Sequence, residues 1–291
     1  MIVSIENEFL TVKATTDGGT LTSVFDRKAK EELLYQPRPD AWNGQDVVIF
    51  PFVARLKDKY YELDGKRYDM EIHGLARYGT FTVEKKAADC MTLLFIDNAE
   101  TRKQYPFAFE LRVTYTLEAN KLVTSLSVFN PNPDALPFML GAHPAYRLDA
   151  IEKPDCTDTS GNYLLLPRRE YTRLTLAPGT GFISGEEPMG VLDEIELTKE
   201  FFQKYDTLML TDFEGDVTLK RRGRSLRFSL GKVPLLALWT HMYYGDYICI
   251  EPWFGQPDDF RPVREFRSKT RMNTLDSGKT FTYTYSVEYI S

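Results

Sequence analysis

The strongest constraint on this chain is a missing pattern. Nowhere do its apolar residues recur at the three-and-four spacing of a long amphipathic helix, while strand-like runs follow one another from end to end. Val3 to Ala14 reads as a strand, Asp17-Gly18-Gly19 as a turn and Leu21 to Asp26 as the next strand. Val47 to Val53 is apolar at successive positions, as a strand buried on both faces would be, and ends at Arg55. Tyr60 to Tyr68 is the clearest hairpin, with Asp64-Gly65 as a type I′ turn. Strand-like runs fill Thr80 to Phe129, then Thr207 to Leu210, Val217 to Lys220 and Leu226 to Leu230, and Phe281 to Val287 alternates strictly. Only Thr198 to Lys204 reads as a helix, capped by Thr198. No linker of low complexity and no fixed-period repeat divides the chain. The expectation is an all-β fold, a single mostly antiparallel domain over residues 1–291.

Composition narrows the partners. The formal charge is −6, so no broad basic surface is available for nucleic acid or an anionic membrane. The short basic run Lys220-Arg221-Arg222-Gly223-Arg224 reads as a hairpin tip in solvent. Three scattered cysteines, Cys90, Cys156 and Cys249, without CxxC spacing, fit a reduced cytoplasmic protein. The first eight residues carry acids where a signal peptide needs a basic and then an apolar segment, and no apolar run is long enough to span a bilayer.

Chemistry points first to Tyr247-Ile248-Cys249-Ile250-Glu251-Pro252-Trp253-Phe254. The stretch is an apolar strand that delivers one carboxylate and then meets Pro252, which is expected to stop the ladder. Two readings fit Glu251: an edge-strand acid in an ion pair, or a carboxylate beside aromatic rings that works on a sugar. There are three histidines. His73 precedes Gly74, and His143 lies in Gly141-Ala142-His143-Pro144; for each, a structural and a catalytic role are both open, and His241 is read as structural. Neither HxH nor HxxxH exists, so no metal site is expected. GxSxG and glycine-rich phosphate loops are absent too. What remains is a cofactor-free general acid–base set of His, Glu or Asp, and Arg.

Taken in order, Phe50-Pro51…Arg55, His73-Gly74-Leu75-Ala76-Arg77, Gly141 to Ala145, Tyr205-Asp206 and Cys249 to Trp253 resemble the aldose 1-epimerase (galactose mutarotase) superfamily, in its LacX-like branch. The resemblance spans Trp42 to the C-terminus. It implies a β-supersandwich of stacked antiparallel sheets with few short helices and a sugar cleft on one face. It also implies Glu251 as catalytic base, His143 as general acid and His73 as a second histidine near the ring oxygen. Arg55 and Asp206 would hold sugar hydroxyls, with Asp212 as an alternative to Asp206. A nearby carboxylate would keep His143 protonated near neutral pH. Trp253 and Phe254 would form the sugar wall. The expected activity is interconversion of the α and β anomers of an aldohexose. Two alternatives stand beside it. One is a hexose 6-phosphate substrate, held by Arg77, Lys57 or Arg221-Arg222. The other is a carbohydrate-binding protein without turnover, with Trp42 added to the aromatic platform. Monomer and homodimer are both open.

Overall fold

The structure is a computed structural model that describes residues 1–153, 156–241 and 245–290. Alternation decides its most regular part. Glu110–Glu118 and Lys121–Phe129 bury every second residue and pair antiparallel from Glu110↔Phe129 to Glu118↔Lys121. Asp64 and Gly65 both take positive φ, 52° and 73°, as the type I′ turn between Tyr60–Leu63 and Lys66–Asp69 requires. The expected helix runs Lys199–Tyr205, with the Thr198 hydroxyl accepting the Phe201 N–H at 3.2 Å. A second short helix, Ala99–Gln104, was not expected. Asn98 and Thr101 cap it reciprocally, a signal of single residues between two strand-like runs.

The main sheet is antiparallel throughout. Its path runs Ile183–Glu196, Tyr163–Leu176, Thr207–Arg221, Arg224–Trp239, Thr280–Ile290, Lys121–Phe129, Glu110–Glu118, Cys90–Ile96 and Thr82–Lys86. Ile2–Glu6, Leu10–Thr15, Leu21–Asp26 and Glu31–Glu32 form a separate meander. The long strand Arg224–Trp239 serves two layers. Ser225 to Ser229 pair with Thr280–Ile290, while Leu235 to Trp239 pair with Tyr247–Phe254. It changes partner near Gly231 (φ 64°), opposite a bulge at Gly215. That bend curls the sheet into the stacked layers of a β-supersandwich. Among the described residues, no helix is long and apolar enough to cross a membrane.

Three expectations are corrected. Pro252 does not stop the ladder, because Leu236 pairs with Pro252 and Leu235 with Trp253. The Ile250 N–H points to the Pro144 carbonyl, so the N–H missing at residue 252 lies on that same side, where the ladder is already broken at His143-Pro144. Val47 to Val53 is buried, but only Val48–Ile49 forms a ladder, against Ala142 and Gly141. The basic run does turn at Arg222-Gly223, yet Arg221 is buried, with Nη2 at 2.7 Å from Glu31 and 2.9 Å from Asp149. Two acids from distant segments converge on it, a meeting that local composition does not reveal.

Glycine is obligatory at one point near the site. Gly74 has φ 75°, and a Cβ there would lie 2.4 Å from the Phe50 carbonyl oxygen, which accepts the N–H groups of Leu75 and Ala76. Gly74→Ala is therefore expected to lose at least about 2 kcal/mol of stability, read as a fall in the denaturant midpoint.

Candidate active site

One register rule brings the two central groups together. Gly141 pairs with Trp253 and Ala145 with Cys249, so the short strands Leu140–Ala142 and Ala145–Arg147 keep the same frame against Tyr247–Phe254. His143, in the gap between them, falls opposite Glu251. Its Nε2 lies 3.3 Å from Glu251 Oε2. The contact falls outside hydrogen-bond geometry, and neither Glu251 Oε2 nor His143 Nδ1 has a hydrogen-bond partner among the described residues. Both side chains are buried, Glu251 at 1% and His143 at 7% exposure. Buried polar atoms without a protein partner are uncommon, and these two belong to residues that line one cavity.

His73 completes the floor. It holds φ 63°, a strained value for histidine, and is pinned to Ala54 twice. Its backbone N–H donates to the Ala54 carbonyl at 2.9 Å, and its Nδ1 accepts the Ala54 N–H at 3.3 Å. In the neutral ring this assigns the proton to Nε2, which becomes a donor. Aromatic rings wall these groups in. His143 lies 5.1 Å from Trp42, 5.7 Å from Trp239 and 5.3 Å from His73, centroid to centroid. The Tyr35 hydroxyl fixes the loop that carries Trp42, donating to the Trp42 carbonyl at 3.0 Å. The Trp253 indole crosses Gly141, where a Cβ would lie 2.7 Å from it.

Burial sets the proton affinities. It pushes the Glu251 carboxyl well up, with the Trp253 indole pulling the other way and the Asp46 charge adding to the rise. It pushes His143 down to about 3, against a backbone contact and with help from the Arg77 charge. Burial likewise drives His73 well down, and His143, Arg77 and Arg55 add to this. The expectation of a protonated His143 is thus corrected. The carboxylate is near, but desolvation of the two buried groups outweighs their attraction and favours the uncharged form of each.

The floor opens into a cavity of about 900 Å³, towards the upper end of small-ligand sites. Glu251, His143, His73, Arg55, Arg77, Asp206 and Trp253 all line it. One of the expected assignments is changed. Phe254 does not line it: alternation turns the ring to the other face, 5.2 Å from Phe281 and 4.7 Å from Tyr283. Between the two aspartates, Asp206 lines the cavity, whereas Asp212 points to solvent, 3.7 Å from Arg271. Burial raises the Asp206 carboxyl and the Arg55 charge opposes this.

A family model described as Aldose 1-epimerase matches residues 1–288. The chain belongs to the aldose 1-epimerase family. It is 30% identical to the chromosomal Protein LacX of Lactococcus lactis subsp. lactis, over 96% of this chain and 97% of that one. A galactose mutarotase related enzyme from Lactobacillus acidophilus superposes with TM-score 0.92 at 30% identity, covering 100% of this chain and 98% of that one. A galactose mutarotase-like protein from Lactobacillus casei has the same fold, with TM-score 0.90 at 24% identity over 99% of this chain and 100% of that one. The β-supersandwich is therefore the galactose mutarotase-like fold.

Other lining residues of this aldose 1-epimerase family member carried no signal of their own in the sequence. Trp239 enters from the end of Arg224–Trp239, and Arg173 and Thr175 from one face of Tyr163–Leu176. The turn Ala177 to Gly181 and Lys204 close the rim. The Pro178-Gly179 and Gly181 turn signals mark a loop there but not what it covers. His241 does not line the cavity.

The buried neutral histidine has a measurable consequence. A His with its folded pKa lowered binds its proton only in the unfolded chain, so its share of stability is full above about pH 6.5 and lost as pH falls towards 3. Glu251, raised, has the opposite sense: its share is lost as pH rises above its unfolded value. His143→Asn should therefore lose less stability than wild type between pH 7 and pH 5, by up to about 2 kcal/mol in urea titrations.

Proposed function

We propose that the protein is an aldose 1-epimerase that interconverts the α and β anomers of an aldohexose without a cofactor. The observation that carries this reading is the close, unpartnered pair of Glu251 and His143, 3.3 Å apart on the floor of an aromatic-walled cavity. Mutarotation needs one proton removed from the C1 hydroxyl and one delivered to the ring oxygen, and both oxygens are bonded to the same carbon. Two proton-handling groups side by side match that demand.

The neutral pair holds one movable proton. When a sugar enters, its hydroxyls stabilise the charged form, and the proton passes from Glu251 to His143 without exchange with solvent. Glu251, now carboxylate, takes the C1 hydroxyl proton as the C1–ring-oxygen bond breaks. His143 gives its proton to the ring oxygen. The aldehyde rotates about C1–C2 and closes on its other face with the roles reversed. His73, donating from Nε2, holds an oxygen of the substrate, and Arg55 and Asp206 hold hydroxyls nearer the rim. Anomer exchange of glucose and galactose, followed by polarimetry or NMR, should fall about 10²–10⁴-fold in each of Glu251→Gln and His143→Asn. Equal rates in wild type and both variants overturn the reading.

A second reading, a hexose 6-phosphate substrate, is favoured by the rim. Arg55, Arg77, Arg173 and Lys204 line the cavity. Arg173 is paired with Glu187, while neither Arg55 nor Arg77 has a carboxylate partner among the described residues. Two guanidiniums facing a cavity without an ion pair of their own suit a phosphate. Lys57 and Arg221-Arg222, the other expected phosphate contacts, do not line it. If the phosphate reading holds, hexose 6-phosphates compete with free hexose in the exchange assay, and Arg77→Ala abolishes that competition while exchange of the free sugar persists.

A further inference from the structure

Beside the two proton-handling groups of the floor lies a third donor, Cys249, that mutarotation does not use. One ligand atom each from His143, Cys249 and Glu251 lie within 4.8 Å of one another, and all three residues are buried. Cys249 and Glu251 share a face of one strand at positions i and i+2, and His143 is brought across by the register. Sequence spacing therefore gives no hint of the cluster. Cys249 does not line the cavity. It sits behind the floor at 0% exposure, packed with Tyr35, Ala145 and Tyr247. The Glu251 carboxylate has an oxygen, Oε2, that is buried 3.3 Å from His143 Nε2 and accepts no hydrogen bond among the described residues.

We propose that His143, Cys249 and Glu251 chelate a borderline-soft divalent cation of the zinc class, and that its occupation blocks anomer exchange. The donor set of imidazole, thiolate and carboxylate is the one such ions select over magnesium or calcium. Charge favours it as well. Thiolate and carboxylate cancel the two positive charges, so the buried complex is neutral and avoids the cost of a net charge in a low dielectric. Tetrahedral zinc holds its donors at about 2.0–2.3 Å, so atoms spread over as much as 4.8 Å draw in by roughly 1 Å. Because His143 and Glu251 also line the cavity, a water or sugar oxygen there would have access to the ion. No electron moves. The cation accepts a lone pair from each donor, and the thiol and carboxyl protons leave to solvent. The block rests on the acid–base reading above, because the cation ties up both groups that move protons; the chelation does not rest on it.

The test uses the metals themselves. Cobalt(II) chloride added to the metal-free protein should bind with one equivalent and give a thiolate-to-cobalt charge-transfer band in the near ultraviolet. The band should persist in Cys90→Ala and vanish in Cys249→Ala, with circular dichroism checking that both variants fold. Zinc chloride should slow anomer exchange reversibly, with a chelator restoring it, and Cys249→Ala should need at least about tenfold more zinc. Wild-type protein that gives no thiolate band, or a band retained in Cys249→Ala, overturns the chelation. A cobalt band with undiminished exchange in zinc overturns the block. Protein that shows no exchange even without metal fails the acid–base reading alone, and the cobalt spectrum still decides the site.

Discussion

The site depends on one frame shared by two broken pieces of strand. Leu140–Ala142 and Ala145–Arg147 each pair with Tyr247–Phe254, and both keep the register that sets His143 against Glu251. The interruption between them matters as much as the pairing. Pro144 cannot donate to a ladder, and Pro252 lies across the same gap, so the missing donors cluster where the ladder is already open. A slip of one residue on either side would turn Glu251 into the opposite face of the sheet. The register is protected because Tyr247–Phe254 is buried on both faces, with Ile248 and Ile250 in the large core and Tyr247 and Cys249 in the small one. Core packing and the geometry of the Glu251–His143 pair are here the same constraint.

How much of this could be read from the chain varied with the range of the interaction. The antiparallel β character, the Asp64-Gly65 turn and the Thr198 cap follow from neighbours in sequence and are present as expected. The motif residues Glu251, His143, His73, Arg55, Arg77, Asp206 and Trp253 share one cavity, because short ordered motifs carry the fold's register with them. Phe254 failed for a simple reason. Adjacent residues of a strand face opposite ways, so Trp253 and Phe254 could not both wall one cavity. Arg221 was legible as a hairpin residue but not as a buried cation, since Glu31 and Asp149 reach it from far along the chain. The protonation state of His143 was misjudged because a sequence shows that a carboxylate is near but not that both groups are dry.

Dryness gives the pair its chemical character. In water a carboxylate and an imidazolium would sit comfortably together near neutral pH. On this floor, walled by Trp42, Trp239 and Trp253, each charged form is costly and the proton stays where charge is least. Such a pair responds to whatever polar groups arrive. Hydroxyls or other polar groups brought into the cavity stabilise the charged forms that burial disfavours. The same lack of internal partners leaves the pair open to a competing ligand that supplies positive charge.

Floor and rim of the cavity are built from different parts of the chain. The floor comes from the central strand, its two broken neighbours and the pinned His73 loop, all within the register-controlled interior. The rim comes from Tyr163–Leu176, the turn that follows it, and the helix Lys199–Tyr205 with Asp206 at its end. Only the side chains at the edge of that hairpin and helix meet the cavity, so their charge can change without moving a floor residue. The cavity of about 900 Å³ holds the Glu251–His143 pair on its floor and the hairpin and helix residues around its rim. Physically, then, the floor is set by the register of one strand, and Arg55 and Arg77, whose charges reach His73, belong with that floor rather than with the hairpin and helix of the rim.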